Sequence, residues 1–296
     1  MQLRGVLAPV ITNFHEKSED LDVAAFTRNV HALVSAGLHG IVVCGSTGEA
    51  ALLSDDERRV LLDAARGATP RDRMLIMGAG AESTRQTLKR CTDAKAAGAD
   101  AVLVVAPHYY SNAMTIEALR VHYRAVADKS PLPVILYNIP KYMHFALPPE
   151  LVSELARHPN VIGIKDSSGD ITMLKGFLAA QSDAFTVITG NGGTFAAALQ
   201  AGARGGILAV ADFAPALCLQ VYDAHMNGDL SLSNELQVAL KPLAAVIVAE
   251  LGVPGVKTAS DVVGLGGGPV RRPLVDLDEA AEQRVRELLA GVVVVA

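Results

Sequence analysis

The sequence contains no tryptophan, and only 4% of its 296 residues are aromatic. Charged residues are also scarce at 19%, whereas half of the chain is hydrophobic. The interior must therefore be built from small and medium aliphatic side chains, which favour closely packed helices and strands. The length allows a substantial core and lies within the range of one large α/β domain.

Cysteine is nearly as rare, and the three present, Cys44, Cys91 and Cys218, lie far apart without a C-x-x-C spacing. This distribution excludes a disulfide framework and a thiolate metal site, and it predicts a protein of the reducing cytoplasm. The eight histidines are dispersed and form no H-E-x-x-H or comparable pattern. A metal-dependent aldolase is therefore disfavoured, and we expect no bound metal.

Basic residues do not predominate, since the formal net charge is −5 and the isoelectric point is about 5.9. Binding to nucleic acid or to an anionic membrane requires a concentrated basic surface, so we expect neither partner. No segment is expected to reach the roughly 20 apolar residues that a membrane-spanning helix needs. The expected partner is a small molecule.

Short β-prone apolar runs recur along the first two thirds of the chain. Each run is nearly continuously apolar rather than alternating, which is typical of parallel strands covered on both faces. Segments with helical periodicity separate the runs, so the pattern predicts a (β/α)8 TIM barrel, with a doubly wound open sheet as the structural alternative. The eight predicted strands are residues 6–11, 41–44, 74–77, 101–105, 134–137, 161–165, 186–189 and 206–210.

Helix signals set the expected boundaries. Residues 54–57 match a capping box at the start of a helix. After Asp212 the periodicity is helical only, in residues 217–226, 232–251 and 278–289, with breaks at Pro254 and residues 264–268. We therefore predict a barrel core at residues 1–212, whose eighth helix continues to about residue 226. Residues 213–296 are predicted to form a C-terminal helical extension packed on the barrel.

Two polar side chains end neighbouring predicted strands at the edge where barrel enzymes carry their chemistry. Lys165 ends an otherwise apolar strand, and Tyr137 ends the strand before it. Burial disfavours an ammonium and so favours the neutral amine that attacks ketone carbonyls, while a nearby phenol can relay protons. The structural interpretation is a lysine that snorkels or pairs with Asp166, and a tyrosine that caps the core.

The turn GSTGE at residues 45–49 follows the second predicted strand. Its two glycines free backbone N–H groups, and Ser46 and Thr47 add hydroxyls, so the turn suits a carboxylate or a phosphate. An ordinary strand-to-helix turn explains the motif equally well by itself. Cys44 precedes the turn, but a buried strand cysteine is more often a packing residue than a nucleophile.

Five motifs, taken together and in this order, closely resemble the dihydrodipicolinate synthase and N-acetylneuraminate lyase family of pyruvate-dependent barrel enzymes. The resemblance extends over nearly the whole chain, and each motif follows the strand where the family places it. The motifs are GSTGE at 45–49, PHYY at 107–110, YNIP at 137–140, GIKD at 163–166 and GNG at 190–192.

The resemblance implies that Lys165 forms a Schiff base with a 2-oxo acid, pyruvate or a pyruvate adduct, and that no separate cofactor is needed. Tyr137 then resembles the proton shuttle. Ser46 and Thr47 bind the pyruvyl carboxylate, and Thr47 links Tyr137 to Tyr109. Tyr109 is expected from a neighbouring subunit, so the resemblance implies a homo-oligomer, with a dimer as the smallest catalytic unit and a dimer of dimers as the usual assembly.

Further residues of the resemblance concern the lining of the pocket. Backbone groups of Gly190 and Ile207 occupy positions that line the pocket in the family. The sequence DSSGD at 166–170 is more similar to 4-hydroxy-2-oxoglutarate aldolases and 2-oxo-3-deoxy-sugar-acid lyases than to sialic acid lyases. Ser167 matches a substrate-contacting serine of those aldolases.

Position 142 separates the candidate substrates. Dihydrodipicolinate synthases carry there an arginine that binds a substrate carboxylate, whereas this chain has Tyr142, and a phenol cannot replace the bidentate grip of a guanidinium. The expected function is therefore an aldolase acting on 4-hydroxy-2-oxoglutarate or a 2-oxo-3-deoxy-sugar acid, with Lys141 or His144 as candidates for binding a distal carboxylate. The alternatives are 4-hydroxy-tetrahydrodipicolinate synthase and a catalytically silent barrel, against which the intact Lys165 and Tyr137 argue.

Overall fold

The computed structural model describes residues 3–291, so the predicted limits at residues 1 and 296 lie outside the described chain. In this range eight parallel strands close into a barrel in sequence order, and β8 pairs with β1. The predicted (β/α)8 fold is confirmed. The strands are β1 Gly5–Pro9, β2 Gly40–Val43, β3 Met74–Gly78, β4 Ala101–Val105, β5 Val134–Asn138, β6 Val161–Asp166, β7 Thr186–Thr189 and β8 Gly205–Ile207.

The strand bounds agree with the predicted runs to within one residue, except at the ends of the first and the last strand. Strand β1 ends at Pro9 rather than at residue 11. Strand β8 ends at Ile207 rather than at residue 210, because Ala209–Asp212 form a turn of 3-10 helix. Nearly every strand residue is buried, as expected for a sheet that is covered by helices outside and by its own side chains inside.

A helix follows every strand and returns the chain to the start of the next one. The capping box predicted at residues 54–57 is present, with Ser54 and Glu57 each bonded to the backbone of the other. The helices of the barrel are α1 Val23–Ser35, α2 Asp55–Ala68, α3 Thr84–Ala96, α4 Ile116–Lys129, α5 Pro140–Met143, α6 Pro149–Leu155, α7 Ile171–Leu178, α8 Phe195–Ala201 and α9 Pro215–Met226.

The C-terminal region is helical, as predicted. It contains α10 Leu230–Pro242, a π-helix at Leu243–Glu250, α11 Gly252–Val262 and α12 Glu279–Ala290. The predicted break at Pro254 is wrong, because Pro254 lies in the first turn of α11, where a helix does not need the missing N–H. The division of the chain at residue 212 stays a prediction.

One sequence expectation about membranes needs correction. The continuous helical stretch Leu230–Glu250 has 21 residues, and an 18-residue window within it has a mean hydropathy of 1.3, which is long and apolar enough to cross a membrane by length and composition alone. Of this window 28% is buried, with Leu240, Leu243 and Ile247 among the core residues. A single helix of this kind is weak evidence for a membrane span, because core helices of globular proteins meet the same criterion.

Candidate active site

The parallel register of β5 and β6 brings the two candidate catalytic side chains together. Tyr137 pairs directly with Lys165, and both are only 5% exposed. The Lys165 Nζ lies 4.4 Å from the centroid of the Tyr137 ring. Both side chains line one cavity of about 290 Å³ at the carboxyl ends of the strands. An amine and a phenol thus face the same small volume.

Asp166 does not serve as the ion-pair partner of Lys165, because other groups occupy its carboxylate. Asn138 Nδ2 donates to Asp166 Oδ1 at 2.8 Å, and Ser168 Oγ donates to Oδ2 at 2.8 Å. Burial raises the pKa of Asp166, while these hydrogen bonds oppose the rise. Asn138 also accepts a bond from Leu147 N at 2.9 Å, so this network fixes the ends of β5 and β6. Asn138 stands in the YNIP motif but was not among the predicted site residues.

Gly190 lies so close to the lysine that no larger residue fits. A Cβ at position 190 would lie 1.9 Å from Ser167 Oγ and 2.7 Å from Lys165 Cε. The Gly190 N–H donates to Asp166 O at 2.6 Å, which holds the backbone of β7 at this distance. The absence of a side chain therefore leaves space for Lys165 beside Ser167, and all three line the cavity with Ile207.

The turn at residues 45–49 places two hydroxyls at the same cavity. Ser46 and Thr47 both line the cavity. Thr12 Oγ1 donates to Gly48 O at 2.7 Å, which ties the turn to the chain after β1. Cys44 enters the turn in the left-handed region with a φ of 57°, and burial raises the pKa of its thiol to about 11. Cys44 is therefore suited to packing rather than to nucleophilic chemistry.

The C-terminal region forms one wall of the cavity, and none of its lining residues was among the predicted site residues. The lining residues from the π-helix and from α11 are apolar or small, and no motif marks them. They are Ala244, Val248, Ala249, Gly252, Val253 and Val256. Among the residues that the structure describes, no group of three or more His, Cys, Asp or Glu side chains could hold a metal ion.

Tyr109 lies outside this cavity. Tyr109 is 78% exposed and Tyr110 is 70% exposed, and the centroids of their rings lie 5.0 Å apart in an edge-to-face arrangement. Two backbone bonds fix the loop, since His108 N and Tyr109 N donate to Glu82 Oε2 at 3.0 and 2.9 Å. The backbone of this loop is therefore fixed while the rings of Tyr109 and Tyr110 are exposed. Within one chain Tyr109 does not lie next to Lys165.

The three candidate specificity residues occupy different places. Lys141 and Tyr142 line the cavity, whereas His144 lines only an adjoining cavity of about 1240 Å³. Lys141 Nζ donates to Ala249 O at 2.9 Å and lies 5.7 Å from the Tyr142 ring centroid. Burial raises the pKa of Tyr142, and Tyr137 adds to the rise, so the side chain is a neutral phenol at physiological pH. Among residues 3–291, Lys141 is the one cation besides Lys165 that lines the smaller cavity.

Residues 2–291 match the model of the Dihydrodipicolinate synthetase family. A curated relative from Methanoculleus marisnigri, named 4-hydroxy-tetrahydrodipicolinate synthase, is 36% identical over 289 residues, which cover 97% of this chain and 98% of that one. A relative of the same name from Acidiphilium cryptum is 34% identical over 291 residues, with 97% of both chains covered.

Solved structures agree with this match. The dihydrodipicolinate synthase of Bacillus anthracis superposes with a TM-score of 0.94 at 27% identity and covers 99% of both chains. A prophage protein of the dihydrodipicolinic acid synthase family from E. coli K12, solved in complex with pyruvate, has a TM-score of 0.93 at 27% identity, with 100% of both chains covered. Another neighbour is described as a monomeric dihydrodipicolinate synthase variant. It has a TM-score of 0.92 at 29% identity, and the match covers 99% of this chain and 97% of that one.

Proposed function

Because the chain belongs to the dihydrodipicolinate synthetase family, we propose that it joins or separates pyruvate and an aldehyde through a Schiff base on Lys165. The predicted enzyme class, a class I carbon–carbon lyase, is that of the family. The observation that carries the proposal is the buried amine of Lys165, 4.4 Å from the Tyr137 ring in a cavity that Ser46 and Thr47 also line.

The reaction begins when the neutral amine of Lys165 attacks C2 of pyruvate. A C–N bond forms, the carbonyl electrons move to oxygen, and that oxygen is protonated and leaves as water. The resulting iminium withdraws electrons, so C3 loses a proton and becomes the nucleophilic carbon of an enamine. This carbon attacks the aldehyde carbonyl, and water finally releases the product from Lys165. The same steps in reverse cleave the C–C bond.

The roles of the other residues follow from their positions in the cavity. Tyr137, whose ring centroid lies 4.4 Å from the amine, is the group in the cavity that we assign to carry protons to the departing oxygen and from C3. Ser46 and Thr47 offer hydroxyls and backbone N–H groups to the pyruvyl carboxylate. Ser167 lies beside Lys165 and is a candidate for contact with the substrate. No step requires a cofactor, and we place the reaction in the cytoplasm.

Tyr109 supports a homo-oligomer in this proposal. A relay from Tyr137 through Thr47 to Tyr109 needs the phenol of Tyr109 at the cavity, and within one chain this residue is 78% exposed on a loop. A second copy supplies it if the loops of two subunits cross at the barrel mouths. We therefore propose a dimer as the catalytic unit and a dimer of dimers as the assembly.

Two observations disagree about which aldehyde the enzyme joins to pyruvate. The curated relatives named above are 4-hydroxy-tetrahydrodipicolinate synthases, which supports condensation with aspartate semialdehyde over the aldolase function expected from the sequence. Tyr142 favours a substrate whose aldehyde half carries no carboxylate, such as a 2-oxo-3-deoxy-sugar acid, because a neutral phenol cannot supply the charge that binds a distal carboxylate.

Lys141 gives a synthase another cation for the substrate carboxylate, although position 142 is a tyrosine. Its ammonium lines the cavity one residue before the phenol, and its only recorded hydrogen bond in the described chain goes to a carbonyl, Ala249 O. A substrate carboxylate is a better partner for an ammonium than a neutral carbonyl. We therefore propose synthase activity with Lys141 as the carboxylate-binding cation, and the aldolase as the second candidate.

Reductive trapping tests the chemistry. Borohydride added with pyruvate reduces an iminium to a stable amine, so we expect a mass increment that peptide mapping assigns to Lys165. The Lys165→Ala variant should show none. An unchanged mass of the wild-type protein under these conditions would mean that the barrel only binds its ligand or binds none.

A substrate panel tests the aldehyde. Condensation of pyruvate with aspartate semialdehyde is measured beside pyruvate release from 4-hydroxy-2-oxoglutarate, 2-oxo-3-deoxygluconate and N-acetylneuraminate. We expect the synthase reaction to have the largest kcat/KM. If one of the cleavage reactions exceeds it, the function is an aldolase and Tyr142 is the decisive residue.

A further inference from the structure

Glu49, the last residue of the GSTGE turn, carries a completely buried carboxylate that the proposed reaction does not use. Its side chain is 0% exposed, and its Oε1 lies 2.6 Å from Nζ of Lys257, whose side chain is 2% exposed. Glu49 is held in the left-handed region with a φ of 55°, which non-glycine residues rarely adopt. A strained residue thus ends the turn, and a buried ion pair fixes its side chain.

Lys257 belongs to α11 in the C-terminal region and is itself held from several sides. Its Nζ donates to Pro269 O at 2.6 Å and lies 4.6 Å from the Phe14 ring centroid. Burial lowers the pKa of Lys257, and the carboxylate of Glu49 opposes that shift. The preceding residue, Val256, lines the cavity. The ion pair therefore joins the turn that carries Ser46 and Thr47 to the helix that carries Val256, and all three of these residues line the cavity.

The second oxygen of Glu49 is also bound by the C-terminal region. Arg271 N donates to Glu49 Oε2 at 2.8 Å, and the Arg271 guanidinium donates to Leu52 O at 2.9 Å and to Glu57 Oε1 at 2.6 Å. Inside the turn Glu49 N donates to Ser46 O at 3.2 Å, and Thr12 Oγ1 donates to Gly48 O at 2.7 Å from outside it. To these bonds the buried carboxylate adds the link between the turn and the C-terminal region.

We propose that Glu49 and Lys257 are positioning residues that hold Ser46 and Thr47 in the geometry that binds the pyruvyl carboxylate, so that the C-terminal region sets the affinity for pyruvate. Neither residue touches the reacting atoms. The inference rests on the proposed function, because it assumes that the turn binds pyruvate. It extends that function by making α11 and the loop after it part of the substrate site.

The double variant Glu49→Gln/Lys257→Met tests the inference, because it removes both charges and leaves neither buried alone. The readout is the pyruvate concentration that gives half-maximal borohydride trapping, which needs no knowledge of the aldehyde. We expect this concentration to rise about tenfold, the equivalent of one weakened hydrogen bond to a charged group. The trapping rate at saturating pyruvate should stay within about threefold of wild type, since Lys165 and Tyr137 are untouched.

Arg272→Gln is the matched control, because its exposed guanidinium joins the same loop to Glu19 without contacting Glu49. It should leave the half-saturating concentration unchanged. A folded double variant with wild-type half-saturation overturns the inference, as does an equal effect of Arg272→Gln. If the double variant does not fold, Glu49→Asp replaces it, because it keeps both charges while shortening the reach of the carboxylate to Lys257, and it is judged by the same criterion. Failure of the wild type to be trapped would instead reject the proposed function.

Discussion

Two parts of the proposed site differ in how far one chain completes them. At the ends of β5 and β6, Tyr137 and Lys165 are each 5% exposed and paired in register. On the loop after β4, Tyr109 and Tyr110 are 78% and 70% exposed, although Glu82 fixes the backbone beneath them. The first pair is positioned and covered by the barrel, whereas the rings of the second pair are exposed and contact each other edge to face.

This difference separates two kinds of positioning. The barrel register fixes an amine and a phenol before any substrate arrives, which lowers the entropic cost of reaction. In the proposed homo-oligomer, the exposed aromatic pair reaches a reacting group of the partner subunit. Formation of the Schiff base should therefore depend on single-chain geometry, while proton relay during turnover should depend on the partner.

Replacing Lys165 by methionine should have the largest effect, because no iminium can form without the amine. We expect kcat to fall by at least about 10⁴ and trapping to vanish. The exposed Lys175 of α7 offers a matched control, and Lys175→Met should be trapped like the wild type. Trapping of the Lys165→Met variant at another lysine would place the chemistry elsewhere.

Tyr137→Phe should follow, since it removes one hydroxyl from the preorganised pair and leaves the packing intact. A general acid–base group contributes about 10²- to 10⁴-fold, so we expect kcat to fall by about 10³ while the melting temperature changes little. Steady-state kinetics and circular dichroism measure both quantities. A kcat within threefold of wild type would remove Tyr137 from the proton relay.

Mixing two inactive variants tests whether Tyr109 acts in the site of a partner subunit. Lys165→Ala lacks the amine and Tyr109→Ala lacks the phenol, so a hybrid dimer regains one complete site if Tyr109 crosses between subunits. After mixing under exchange conditions we expect up to a quarter of the wild-type rate, about the share of complete sites in random dimers. No recovery, together with near-normal activity of Tyr109→Ala alone, would show that one chain is sufficient.

Tyr142→Arg should have a smaller and selective effect. A guanidinium at this position adds bidentate binding of a distal carboxylate, so kcat/KM for aspartate semialdehyde should rise about tenfold while half-saturation by pyruvate stays the same. Lys141→Met should lower the same kcat/KM. Equal changes for substrates with and without a distal carboxylate would contradict the assignment of these residues to specificity.

Cys44 should show the smallest effect. Its thiol pKa of about 11 means that the reactive thiolate is scarce at neutral pH, and the side chain is buried. Iodoacetamide at pH 7.5 should leave turnover unchanged over an hour, measured by residual activity. Rapid inactivation that pyruvate does not prevent would return Cys44 to the candidate nucleophiles.

The barrel was predictable because its signal is repeated and local. Each strand is a continuous apolar run, and the capping box at Ser54 marks a helix start in the sequence itself. The end of β8 was missed, because the 3-10 turn Ala209–Asp212 has the same apolar composition as a strand. Pro254 was misjudged, because its effect depends on its position within the helix.

The candidate site also contains residues that the sequence could predict and contacts that it could not. Lys165, Tyr137, Ser46 and Thr47 stand at strand ends or in the turns that follow, so sequence position alone placed them at one mouth. The wall formed by Val248 and Val256 and the ion pair between Glu49 and Lys257 join segments about 200 residues apart in the chain. No local pattern encodes such contacts, and only the packing of the C-terminal region reveals them.

A crystal structure of the protein soaked with pyruvate would test the central claim most directly. We predict continuous electron density between Lys165 Nζ and C2 of the ligand, with the carboxylate on the Ser46–Thr47 turn and the Tyr137 hydroxyl beside the new bond. Pyruvate bound away from Lys165, or bound next to it with a free amine at saturating ligand, would contradict the account.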